Sequence, residues 1–148
     1  MEELYELRSY IEQGRYPEAL VLLGEMEEMS REDKINKIGS FLVVLLLHLI
    51  KQHVEKRSPR SWEVSIRNAV SEIGLTNKRR KAGGHYLTGE ELRDAIEERY
   101  ASALRLASLE TFEGRYDPPD LAKMVDADQV KATALKLILS PSSSDRFR

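Results

Sequence analysis

His53, Arg57, Arg60 and Trp62 lie close together in the chain, and Glu110 is a carboxylate further along that could join them. An imidazole beside two guanidinium groups is equipped for general-base catalysis on an anion. The histidine would take a proton, and the arginine forks would hold a phosphate or phosphodiester. Glu110 falls on the apolar stripe of its own helical segment. A buried carboxylate needs a partner, so a bidentate pair with Arg57 or Arg60 is expected, and such a pair would orient His53. No second acid and no metal-type spacing accompanies the set. It therefore reads more simply as a polar plug that fixes helix register.

A second concentration of chemistry is the run Lys78, Arg79, Arg80 and Lys81, followed by His85. Arg79 or Arg80 with His85 resembles the arginine–histidine ribonuclease motif of HEPN-type helical toxins. That likeness implies cleavage of RNA at a dimer cleft. Here, however, the match sits beside Gly83 and Gly84 rather than at the head of a helix. The tetrad reads more simply as a solvated loop that would touch nucleic acid non-specifically, through phosphates and with steep salt dependence. The glutamates between Glu18 and Glu28 lack the Glu-x-x-His partner that a carboxylate-bridged metal site requires, and they read as a solvated acidic face. The chain has no cysteine, hence no disulfide framework and no thiolate ligands. Glycine motifs for phosphate, nucleophile elbows and zinc spacings are missing too. No metal or cofactor is expected.

These residues must be positioned by helices. Across 148 residues there is no clean two-residue alternation and no Asn-Gly or Asp-Gly hairpin turn, so the fold class expected is all-α. Leu4, Leu7 and Ile11 mark a first helix from Glu2 to Gln13, stopped by Gly14. A second starts at Pro17 and carries Ala19, Leu22, Met26 and Met29 on one stripe, completing a helical hairpin. Gly14 to Leu20 resembles the turn of a tetratricopeptide unit, but nothing repeats it. Ser30 with Asp33 suggests a capping box and a new helix from Arg31 to Lys56. Ser58-Pro59 opens a fourth helix to Gly74, and Asn77 to Tyr86 reads as a mobile basic loop. Thr88 with Glu91 caps a fifth helix to Phe112. Asp117 starts a short one through Val125, and Asp126 with Gln129 caps the last, to Leu139. The expected architecture is an antiparallel up-and-down bundle of about five main helices with one or two short C-terminal ones. It forms a single domain over residues 1–139, with a polar tail over 140–148.

The centre of this plan is Phe41 to Ile50, ten residues in which only His48 is polar. That is far short of the roughly 20 residues a bilayer span needs, so a helix buried inside a soluble protein is expected. Leu42, Leu46, Leu49 and His53 share its core face. Phe41, Val44 and His48 fall on a second side among lysines, where a partner would be needed to cover them.

Several strings are similar to a mostly cyanobacterial family known only as domain of unknown function 29. They are Gly14-Arg15, the glutamates from Glu25 to Glu28, Leu45 to Lys51, Arg57 to Trp62 with Ile66, Tyr100 to Thr111, and Tyr116 to Val125. The likeness runs from Leu4 to about Asp128. It implies an all-helical fold and brings no established activity. The sequence departs from the pattern at Asn77 to Thr88, a basic insert, and in its last helix.

Net charge is only −2, but Glu2 to Glu32 holds nine acidic and three basic residues, giving −6, whereas Lys51 to Arg67 carries +3. The acidic start lacks the basic and apolar regions of a secretion signal, so a cytoplasmic protein is expected. The functional expectation is a small helical interaction module. Its binding candidates are Phe41, Val44, His48 and Trp62, and its expected partners are a second copy of itself or an unidentified protein, with no membrane. The alternative is an RNA-directed enzyme or RNA-binding protein using His53 or His85 and the basic middle segment.

Overall fold

No proline or glycine interrupts Glu25 to Ile38, and the residues there are mostly good helix formers, so nothing forces the backbone out of helix at Ser30. The expected break is absent. In the computed structural model, which describes residues 2–79 and 83–140 (of Met29 the backbone only), α1 (Glu2–Glu12) turns at Gly14 into a single long helix, α2 (Tyr16–Glu55). Ser30 and Asp33 can cap only a helix that begins there, and this one begins at Tyr16, with Pro17 in its first turn. At ~1.5 Å per residue, α2 is about 60 Å long.

The C-terminal half of α2 is the axis of the bundle. Lys56, in the left-handed conformation (φ 53°), ends it, and α3 (Arg60–Asn77) runs back alongside. After the basic loop, α4 (Gly89–Glu110) starts at a complete capping box. The Thr88 hydroxyl accepts from the Glu91 N–H, and the Glu91 carboxylate accepts from the Thr88 N–H. Arg31 pairs with Glu91, Arg99 lies over Gly39, and Lys51 pairs with Glu110, so α4 runs parallel to α2. The chain then reverses through a 3-10 turn (Phe112–Gly114), where Phe112, Glu113 and Gly114 all have positive φ. Short α5 (Pro118–Ala122) is capped by Asp117. Asp126 caps α6 (Ala127–Leu139), which climbs antiparallel to α4 and joins them through Lys131 and Glu97. No strand forms among the described residues, where Lys78 and His85 make a lone antiparallel bridge.

The core follows from this packing. Ile38, Leu42, Leu45, Leu46 and Ile50 of α2 are fully buried. Ile73 of α3, Ile96 and Ala103 of α4, Leu121 of α5 and Ala134 of α6 meet them in one cluster. By length and composition α2 could cross a membrane, but half of its most apolar window is buried inside this bundle.

The first half of α2 is different. Between Tyr16 and Lys37 only Ala19 and Leu22 are buried among the described side chains, and α1 packs on α2 there. α1 and this overhang form a two-helix arm that projects past the bundle, starting where Arg31 meets Glu91 at the head of α4.

Candidate functional site

At the base of the bundle the expected cluster divides in two. Glu110 does not reach Arg57 or Arg60; its Oε1 accepts from Lys51 Nζ at 3.0 Å. The reason is position: Glu110 ends α4, so its side chain remains 45% exposed while that of Lys51 is 9% exposed. The buried member of the pair is the lysine. Lys51 Nζ also stands 4.7 Å from the centre of the Trp62 ring, and the Arg57 guanidinium stands 4.8 Å from it. Trp62 is buried, its indole occupied by the protein's own cations. Arg57 further pairs with Glu55 at 2.9 Å, and Arg60 is exposed at the first residue of α3.

His53 points to a different neighbour. Its Nε2 accepts the N–H of Asp126 at 3.2 Å, which ties the end of α2 to the cap of α6. That bond occupies the lone pair a general base needs, and among the described residues no carboxylate is bonded to the ring's other nitrogen. A shallow recess of about 200 Å³ beside it is lined by Leu49, Gln52, Gln129, Val130 and Thr133, none of which titrates. The arrangement is a polar strap across helix ends.

The middle of α2 does not present the open second face expected of it. Phe41 and Val44 are half-buried and pack against the core cluster. His48 is half-buried as well, and its Nδ1–H donates to the Val44 carbonyl at 2.8 Å.

The basic loop is closed at its root rather than loose. The buried Asn77 side chain donates to the Leu87 carbonyl at 3.0 Å and accepts the Leu87 N–H at 2.7 Å. The Tyr86 N–H reaches the Asn77 carbonyl, and the Arg79 N–H that of Gly84. Lys78, Arg79 and His85 are exposed on this loop, with the Arg79 guanidinium 5.8 Å from the Tyr86 ring centre. Arg80 and Lys81 lie outside the described residues, as does the tail over 141–148.

The surface that sequence reasoning passed over is the arm. Tyr5, Tyr16, Leu20 and Val21 are each more than 60% exposed, and Leu4 and Ile11 about half. Between α1 and α2 runs a groove of about 350 Å³ lined by Pro17, Val21, Leu22 and Tyr10 with the carboxylates of Glu6, Glu18 and Glu25. The Tyr10 hydroxyl donates to Glu6, which raises the pKa of that phenol. Arg15 stacks 4.9 Å over the Tyr10 ring and approaches Glu18 to 3.7 Å. The signal was present: placed at 100° per residue, Leu20 and Val21 fall opposite Ala19, Leu22 and Met26, so a helix packed on the latter leaves them bare. Among the described residues no three histidines or carboxylates gather as a metal site.

Comparison with known proteins adds one broad match and several narrow ones. Residues 18–124 match a family model described as "Domain of unknown function DUF29". Chromodomain-helicase-DNA-binding protein 7 of Gallus gallus is 30% identical over 81 residues, which is 55% of this chain and 2% of that protein. Human chromodomain-helicase-DNA-binding protein 6 is also 30% identical over 81 residues, or 3% of its length, and protein 8 of Danio rerio is 28% identical over a similar span. The chain thus spans only two to three hundredths of these curated relatives. No solved structure matches.

Proposed function

Starting from the fact that the chain belongs to the DUF29 family, a family of unknown function, we propose that it is a protein-interaction module in which a closed helical bundle holds out a two-helix docking arm. The observation that supports this is the contrast in cover: the large apolar side chains of mid-α2 are used internally, whereas those of the arm are in water. Exposed apolar residues gathered on one element, set among charges, are the usual mark of a docking surface. The partner is another protein rather than a second copy. The Phe41 and Val44 face that would have called for self-association is packed against the chain's own core, and two arms each carrying −6 repel one another.

The reading is tested by placing a photo-crosslinking residue at position 20 or 21 and, as control, at the exposed position 98. In cells of the source organism, adducts with another protein are expected at 20 and 21 and not at 98. Equal adducts at all three, or a symmetric homodimer adduct at 21, would contradict it.

A second reading rests on the exposure of Lys78, Arg79 and His85 on the loop pinned by Asn77: contact with nucleic acid through phosphates. The DNA-binding named in the chromodomain-helicase relatives belongs to proteins of which the match covers a few hundredths. Titration with single-stranded RNA at rising salt decides it, since binding that ignores salt, or none at low salt, removes the electrostatic version. Equal RNA cleavage by the protein and by a His53→Ala, His85→Ala variant removes the catalytic one.

A further inference from the structure

From the shape and charge of the arm we infer that its docking partner is a basic amphipathic helix of another protein, seated along the outer face of α2 between Pro17 and Glu28. The inference rests on the reading of the arm as a docking surface and names the chemistry of what docks. Three features of that face converge. The first is an apolar strip: Leu20 and Val21 are 68% and 65% exposed, and Pro17 precedes them on the same side of the helix. The second is a place for close approach. Gly24 sits in the middle of the strip, inside a regular helix, and a Cβ added there would meet nothing within 4 Å. A glycine in a helix interior costs about 1 kcal/mol relative to alanine, and among the described residues nothing uses the space it leaves. A second helix crossing at Gly24 could approach more closely than it could over a larger side chain.

The third feature is charge. Glu18 and Glu25 line the adjoining groove with Glu6, and Glu28 continues the strip one turn beyond Gly24. Across Glu2 to Glu32 the balance is −6. An apolar strip edged by carboxylates complements a helix whose own apolar stripe is edged by lysine or arginine. It disfavours an acidic helix, an anionic lipid surface and a second arm alike, because each would place like charges together as both surfaces lose water. The repeat along α2, with apolar or small residues at 17, 20, 21 and 24, is the i, i+3, i+4, i+7 pattern by which one helix reads another.

The test uses the full-length protein, labelled for amide NMR, and three synthetic amphipathic helical peptides of equal length with the same leucine stripe. Their polar faces are lysine, glutamine or glutamate. The lysine peptide is expected to saturate, with shifts confined to residues 17–28 and the facing part of α1, and to weaken steeply as salt rises. Reversing Glu18, Glu25 and Glu28 to lysine is expected to weaken it about tenfold or more. Reversing the exposed Asp94, Glu98 and Glu113, the same change of net charge placed on the bundle, is expected to leave it within about twofold. Gly24→Gln fills the open space while favouring helix, so the arm stays folded and binding is nonetheless expected to fall about tenfold.

Lysine and glutamine peptides binding the arm equally well would overturn the basic partner while leaving the arm as a docking surface. No saturable binding of any peptide to the arm, shifts centred on the bundle, equal loss on both charge reversals, or binding of the protein to anionic phosphatidylserine vesicles would overturn the inference.

Discussion

The two halves of α2 belong to one unbroken helix yet live in opposite surroundings. From Ile38 to Lys51 eight side chains are buried and the helix is enclosed by α3, α4 and α6. From Tyr16 to Lys37 only Ala19 and Leu22 are buried among the described side chains, and α1 packs on this half. Continuity of secondary structure therefore says nothing about continuity of stability. The first half is held helical by one short neighbour and by its connection to an anchored second half, which is how a rigid element can be offered to a partner without being part of the core.

The sharpest way to break this comparison is to cut the same side chain from both halves. Leu46→Ala, in the fully buried half, is expected to cost about 2–5 kcal/mol in urea denaturation. Leu20→Ala, on the arm, is expected to stay within about 0.5 kcal/mol of the parent protein. Similar losses at both sites would mean that the arm is part of the cooperative core.

The boundary at the base is tested next. Glu110→Ala strands the buried Lys51 ammonium against the Trp62 ring, with an expected loss of about 1–3 kcal/mol. Lys51→Met removes the buried charge itself. Adding Glu110→Ala to that background is expected to cost little, because Glu110 is half exposed and pairs with no other side chain among the described residues. If the two losses simply add, the pair is not coupled.

Most of the fold could be read from the sequence because its signals are local. Thr88 with Glu91, Asp117 before two prolines and Asp126 with Gln129 each start a helix where their hydroxyl or carboxylate can take an orphan N–H. The break at Ser30 was misread because a capping residue is evidence of a helix start only if the preceding chain leaves the helix, and Glu25 to Met29 has no reason to. The site was harder to read, for a reason of distance. Glu110 has Lys51 as its partner because α4 runs parallel to α2 with a fixed offset, and register between helices is set by packing that periodicity alone does not specify. The same holds for Phe41 and Val44. Their polar neighbours suggested water, whereas both pack against the core cluster and Lys51, on the same side of the helix, is buried as well. Leu20 and Val21 fall opposite the Ala19 stripe, but that they are bare follows only once the helices that pack on this half of α2 are known.

Smaller effects sharpen the contrast. Gly24→Ala is expected to stabilise the arm by up to about 1 kcal/mol. The change should appear as slower amide exchange in the first half of α2, with the unfolding midpoint of the bundle nearly unchanged. At the junction of arm and bundle, the Glu91 carboxyl is held below its ordinary value of 4.5, chiefly by its hydrogen bond from the Thr88 backbone N–H. The unfolded chain therefore binds this proton more readily than the folded one. The contribution of the capping box is complete above the ordinary value and is lost as pH falls through the lowered one. Glu91→Gln is expected to remove that part of the acid dependence, seen in urea midpoints as the pH falls below the ordinary value of 4.5.

The division of α2 is tested most directly by native-state hydrogen exchange, with and without the lysine-faced peptide. In the free protein the amides from Ile38 to Lys51 are expected to exchange only through global unfolding, and those of α1 and Glu18 to Met29 through much cheaper local opening. With the peptide, protection is expected to rise between Leu20 and Glu28 and nowhere in the bundle. Arm amides already as protected as the core in the free protein, or protection gained on α3, α4 or α6 instead, would contradict the account.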